Sequence, residues 1–163
     1  MRLRALASCA PVIFTLKRMN RYVAASITAV AAAAIGFFIH VGSQSWVRSW
    51  VSAHMQGREV IPSWDVRYVA LLTSVETGLG LVVLYALIRP ALPGKSSFSR
   101  GLLLGILMLA VMGRLFRQPV MNLVIGNPLP VVAVQDGISW VLWTSMAIVV
   151  AAVYDVLSPE GAP

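Results

Sequence analysis

Apolar positions run in four long stretches, at 22–42, 66–88, 101–125 and 131–154, with polar residues gathered at their ends. Each is about 20 residues or more, which at 1.5 Å per residue crosses a hydrocarbon layer of about 30 Å. In the first stretch Ala25, Ala29 and Ala33 recur at four-residue spacing and Gly36 continues the strip, so a neighbouring helix can approach closely. Gly101 and Gly105 offer the same small-residue contact in the third. Residues 44–56 follow a different pattern: Trp46, Val47, Trp50, Val51 and Met55 fall on one helical face, with Gln44, Arg48, Ser49, Ser52 and Gln56 opposite and Gly57 placed as the cap. That pattern predicts a short helix lying flat in the membrane interface, indoles at headgroup depth. The expected fold is therefore all-α, an integral membrane four-helix bundle with a short amphipathic interfacial helix between spans 1 and 2. A basic N-terminal arm over 1–20 precedes the four-span domain at 21–157, and a short tail covers 158–163.

Polar residues inside these stretches locate the interior. Glu76 shares a face with Thr73, Thr77 and Gly80 and lies eleven residues beyond Asp65, about 16 Å into its span. Arg114 is fourteen residues beyond Arg100 and Asp136 six beyond Pro130, which sets both about 9 Å below the outer edge. Level charges of opposite sign predict an Arg114–Asp136 ion pair, with the guanidinium fork also able to reach Glu76. Arg117, Gln118, Asn122 and Gln135 complete the cluster. Ionisable groups in hydrocarbon cost roughly 3 kcal/mol, so they normally face a partner or a wet cavity. Gly137, Trp140 and Thr144 continue the face begun by Asp136, and Trp140 and Trp143 lie deeper than interfacial indoles, as core packing or as the lining of a pocket. Pro119 either kinks one long helix reaching Ile125 or ends it, leaving 119–126 as a re-entrant turn. Gly126-Asn127-Pro128 reads as a helix stop followed by an N-cap and a proline at the first helical position.

Composition changes this picture only by narrowing it. Of 163 residues 58% are hydrophobic and 12% charged, far from the roughly 25% charged of a soluble domain; the mean hydropathy is +0.80. The net charge of +7 is spread over span ends, not gathered on one face, so nucleic acid is not the expected partner; the bilayer is, with a homodimer or larger membrane complex. Eight Lys and Arg residues precede the first apolar stretch or lie in the 89–100 loop, which by the positive-inside rule makes both termini cytoplasmic in a multi-pass protein of the cell inner membrane. The chain has the general look of small bacterial inner-membrane proteins.

Cys9 stands alone, which removes disulfide frameworks and paired-thiol redox chemistry. Only Ala5 and Leu6 separate Arg4 from the Ala7-Ser8-Cys9 triplet, too short an apolar run for a lipoprotein signal. Met19 is an alternative start. His40 and His54 lack a third ligand, so no metal and no cofactor is expected. The motifs of metalloproteases, phosphate-binding loops and serine hydrolases are all absent. The leading expectation is a structural or accessory membrane protein rather than an enzyme. A dimeric small-solute or proton-coupled transporter using Glu76 as its titrating group is the first alternative, and a membrane enzyme acting on a lipid or quinone the second.

Overall fold

The computed structural model describes residues 20–55, 57 and 65–158, and no strand occurs among them. The N-terminal arm with Cys9 and Met19, Gln56, and the tail beyond Ser158 lie outside the described residues. Five α-helices follow in order: α1 Arg21–His54, α2 Val66–Ile88, α3 Ser97–Val111, α4 Arg117–Val124 and α5 Leu129–Leu157; a single 3-10 turn, Arg89–Ala91, extends α2. Three of them, α1, α2 with its extension and α5, are long and apolar enough to cross a membrane. At 15 residues α3 reaches only about 22 Å, short of a full crossing.

Two boundaries differ from those the pattern predicts. The amphipathic stretch is not a separate interfacial helix. It continues α1 without a break, giving a 34-residue helix of about 51 Å. Gly42 is too weak a breaker, costing about 1 kcal/mol in a helix interior. The serines at the join turn their hydroxyls back onto the helix: Ser43 donates to the His40 carbonyl at 2.8 Å, Ser45 to Gly42 at 2.7 Å and Ser49 to Trp46 at 3.0 Å.

The third apolar stretch, by contrast, is cut in two, and by Gly113 instead of Pro119. Gly113 has φ +69. Beyond it the Arg114 N–H donates to the Leu109 carbonyl at 2.8 Å and the Gly113 N–H to Ala110 at 3.0 Å, the paired bonds of a Schellman close. Pro119 falls at the third position of α4, where no intrahelical partner exists for an N–H, so it opens the second helix at no cost in hydrogen bonds.

Small residues face inward and large apolar ones outward. Ala24, Ala29, Ala32 and Ala33 of α1 are buried, while Phe38, Leu72, Leu87, Val111 and Val141 each show more than half of their surface. This is the arrangement of helices that pack by close approach in an apolar solvent. An added Cβ at Gly78 would lie 2.8 Å from the Ala29 carbonyl oxygen, and at Gly105 2.9 Å from Thr144 Cα, so α1 meets α2 and α3 meets α5 nearly backbone to backbone. The helices form an arc, α2 against α1 and more lightly against α5, α1 against α5, α5 against α3, with α4 lying on α5. No extended packing joins α2 to α3. The hydrophobic core sits toward one end, where Leu81, Val82 and Tyr85 of α2 meet Leu104 of α3 and Met146 and Val150 of α5.

Replacing Gly105 by Leu is expected to destabilise the fold by about 1–3 kcal/mol through overpacking against α5. Gly80→Ala, with nothing within 4 Å of the new Cβ, should be neutral or stabilising by up to about 1 kcal/mol. Thermal melts of the two variants in detergent check the contrast.

Candidate functional site: a clasp and a cavity

The polar residues fall into two centres at opposite ends of the arc. At the core end, Asp155 in the last turns of α5 collects donors from three other segments. Tyr85 of α2 donates its hydroxyl to both carboxylate oxygens at 3.0 Å. Ser97 and Arg100 of α3 donate to Oδ2, each at 2.6 Å. Arg89 of the 3-10 turn brings Nε to 2.8 Å from Oδ1, and its Nη1 donates to the Ser158 carbonyl at 2.9 Å. Asp155 is only 9% exposed, and Tyr85 is fully buried with its ring edge-on to Tyr154. Among the described residues the ion pairs are the two made by this carboxylate.

The clasp is absent from the expectations above, which treated Arg89 and Arg100 only as markers of membrane orientation. A signal was present. The chain has six acidic residues, and Asp155 ends a span at the same level as the loop carrying both arginines.

The opposite half is hollow. A cavity of about 1010 Å³ lies between the halves of α1, α2 and α5 away from Asp155 and the turn after α3. Glu76, Arg114 and Asp136 all line it, as do Thr73, Thr77, Gln118 and Gln135 from the expected cluster, together with Trp143. Three expected members do not. Arg117 is exposed beside the Gly113 turn. Asn122 stands on α4 near the Asp136 carboxyl group, outside the cavity wall. Trp140 donates its indole N–H to the Arg114 carbonyl at 2.9 Å, holding the turn instead of lining the pocket. The uninterrupted α1 adds a wall the pattern did not predict, including His40, Gln44 and Arg48.

The expected Arg114–Asp136 ion pair is not formed. Arg114 donates to Ser139 at 3.1 Å and lies over the Trp143 ring, 5.8 Å from its centroid. The Schellman close is the reason: it fixes the Arg114 backbone in the turn and aims the side chain across α5 toward Ser139. Asp136 is 3% exposed, and its Oδ2 has no hydrogen-bond partner. Glu76 also lines the cavity and has no hydrogen bond or ion pair with any described residue. Thr73 is spent on its own helix, donating to the Val69 carbonyl at 2.8 Å.

No family model, no curated protein and no solved structure matches this chain. What it can do is therefore read from the two centres alone. Among the described residues no group of three or more His, Cys, Asp or Glu could hold a metal ion. His54 stacks on Trp50 at 4.1 Å, away from His40 in the cavity wall. The cavity presents two carboxylates lacking cationic partners beside the guanidinium groups of Arg114 and Arg48, so it offers acceptors and donors to a small polar group.

The two buried carboxylates should respond oppositely to neutralisation. Asp155→Ala strands two arginines and is expected to cost toward the low end of the about 3–5 kcal/mol typical of a broken buried pair, since Arg100 keeps some access to water. Asp136→Asn removes a charge that has no ion pair, and should cost less than about 1 kcal/mol or stabilise. Denaturant or thermal unfolding of both variants measures the difference.

Proposed function

We propose that this protein is a small four-span membrane protein of accessory or carrier type, in which α3 and α4 together make the third span and the outer half of the arc binds a small polar or amphiphilic solute. Both termini lie on the cytoplasmic side in this reading, in line with the basic arm and loop. One observation carries it: Glu76, Arg114 and Asp136 border a single cavity and form no ion pair with one another, although another carboxylate of the same chain gathers two arginines. A network serving only to fix helix register would be paired within itself. Here register is fixed by Asp155, which leaves the outer charges for something else.

Proton-coupled transport is the second reading, favoured by Glu76, an unpartnered acid about 16 Å into its helix. Enzymatic turnover finds less support, because the cavity holds no nucleophile set against a base; its serine and threonine hydroxyls stand among carboxylates and arginines without a catalytic histidine pair.

The test is a ligand screen by thermal shift on the purified full chain, comparing wild type with Asp136→Asn and Glu76→Gln. A solute that raises the wild-type melting temperature and loses its effect in either variant supports the reading. Equal shifts in all three proteins for every stabilising solute would refute a site at these residues.

A further inference from the structure

The cavity is open along its side. Glu76, Thr73 and Gly80 of α2 and Met112 beyond α3 all line it and are all exposed, on the two helices that do not pack on each other. The opening therefore runs down the α2–α3 seam, and the residues flanking it on the outer surface are apolar: Leu72, Leu79 and Val83 on α2, Val111 on α3. A seam with such flanks faces acyl chains once the helices stand in a bilayer. Inside it are groups that lipid tails cannot satisfy, above all Oδ2 of Asp136, a residue 3% exposed with Asn122 beside its carboxyl group; that oxygen has no hydrogen-bond donor. An unmet buried acceptor of this kind costs about 1–3 kcal/mol or more when charged.

We infer that the cavity receives the head group of a membrane lipid bearing a primary amine, admitted sideways through the α2–α3 seam with its acyl chains left outside. This rests on the binding-cavity reading above and names its ligand class. An ammonium group with N–H donors answers the orphan oxygen of Asp136 and the unpartnered carboxylate of Glu76. A quaternary choline carries positive charge but no N–H, so it leaves Oδ2 without a hydrogen bond. The phosphate of the same head group matches Arg114, whose guanidinium is held by Ser139 and Trp143 without any carboxylate, and Arg48 on the α1 wall. A purely anionic head group would satisfy the arginines and repel the acids. The volume of about 1010 Å³ is ample for a head group and the first part of its chains.

The experiment is native mass spectrometry of the full chain released from vesicles containing equal parts of phosphatidylethanolamine, phosphatidylcholine and phosphatidylglycerol. Retention of the ethanolamine lipid over the choline lipid is expected at roughly ten-fold, the low end for one hydrogen bond to a charged group. Asp136→Asn and, as a second variant on an exposed side chain, Glu76→Gln should each bring that preference close to one, with unchanged helicity by circular dichroism. Equal retention of the three lipids in wild type, or a preference untouched by both substitutions, overturns the proposal. Soluble phosphoethanolamine, assayed in parallel by thermal shift, separates the levels. If it binds in an Asp136-dependent way while no lipid is retained, the cavity reading stands and the lipid proposal fails; if neither binds, both fail.

Discussion

Asp155 accepts from Tyr85, Ser97 and Arg100 and stands 2.8 Å from the Arg89 side chain, so one carboxylate joins α2, the turn after it, α3 and α5 at a single point. The arc of helices needs such a point. Its successive neighbours are held by close approach of alanine and glycine, but nothing of that kind links α2 with α3, the two ends of the arc. Breaking a buried pair of this sort costs several kcal/mol, comparable with the whole margin of stability of a small fold. The core lies beside the clasp for the same reason: where α2 and α3 are drawn together, Leu81, Leu104, Met146 and Val150 can close on one another.

Away from that point the helices part, and the space between them is polar. Charges in an apolar solvent normally find one another, because the alternative is a desolvated ion. Arg114 is prevented from doing so by its own backbone. The Gly113 turn and the Trp140 indole hold the Arg114 main chain, while Ser139 and the Trp143 ring take the guanidinium. Asp136, one helical turn from Ser139, is left facing the hollow. A short third helix is part of the same design, since an α3 that ran on through Gly113 would fill the hollow half instead of bordering it. Structure and charge are thus divided between the two ends, with the paired carboxylate supporting the frame and the unpaired ones lining a cavity.

Much of this was legible in the residues, and what was not has physical causes. Long apolar runs announce themselves, so α2, α5 and the first part of α1 fall where hydropathy sets them, and the small-residue strips at Ala29, Ala33, Gly101 and Gly105 mark the close contacts. Depth counting from Asp65, Arg100 and Pro130 brought Glu76, Arg114 and Asp136 to one region. It failed to give their pairing, because pairing depends on the direction of a side chain and a left-handed glycine changed that direction. Pro119 drew attention as the stronger breaker, yet proline ends a helix only where an N–H is needed, and at the third position of α4 none is. The amphipathic stretch reads as a separate helix, but Ser43, Ser45 and Ser49 bond back to the α1 backbone and the helix runs through them. The clasp escaped notice since it joins residues 55 to 70 positions apart, a separation at which sequence spacing carries no geometry.

The central claim is that α2 and α3 are drawn together at the Asp155 end and parted at the other. Spin-label distances test it most directly, with Cys9 replaced by Ser and labels placed on exposed positions of both helices: Leu87 with Phe98 near Asp155, and Leu72 with Val111 at the far end. A narrow, short distribution is expected for the first pair and a longer, broader one for the second, with the first widening when Asp155 is changed to Ala in the same background. Distances that are equally short and narrow at both ends, or a Leu87–Phe98 separation unmoved by loss of Asp155, would contradict it.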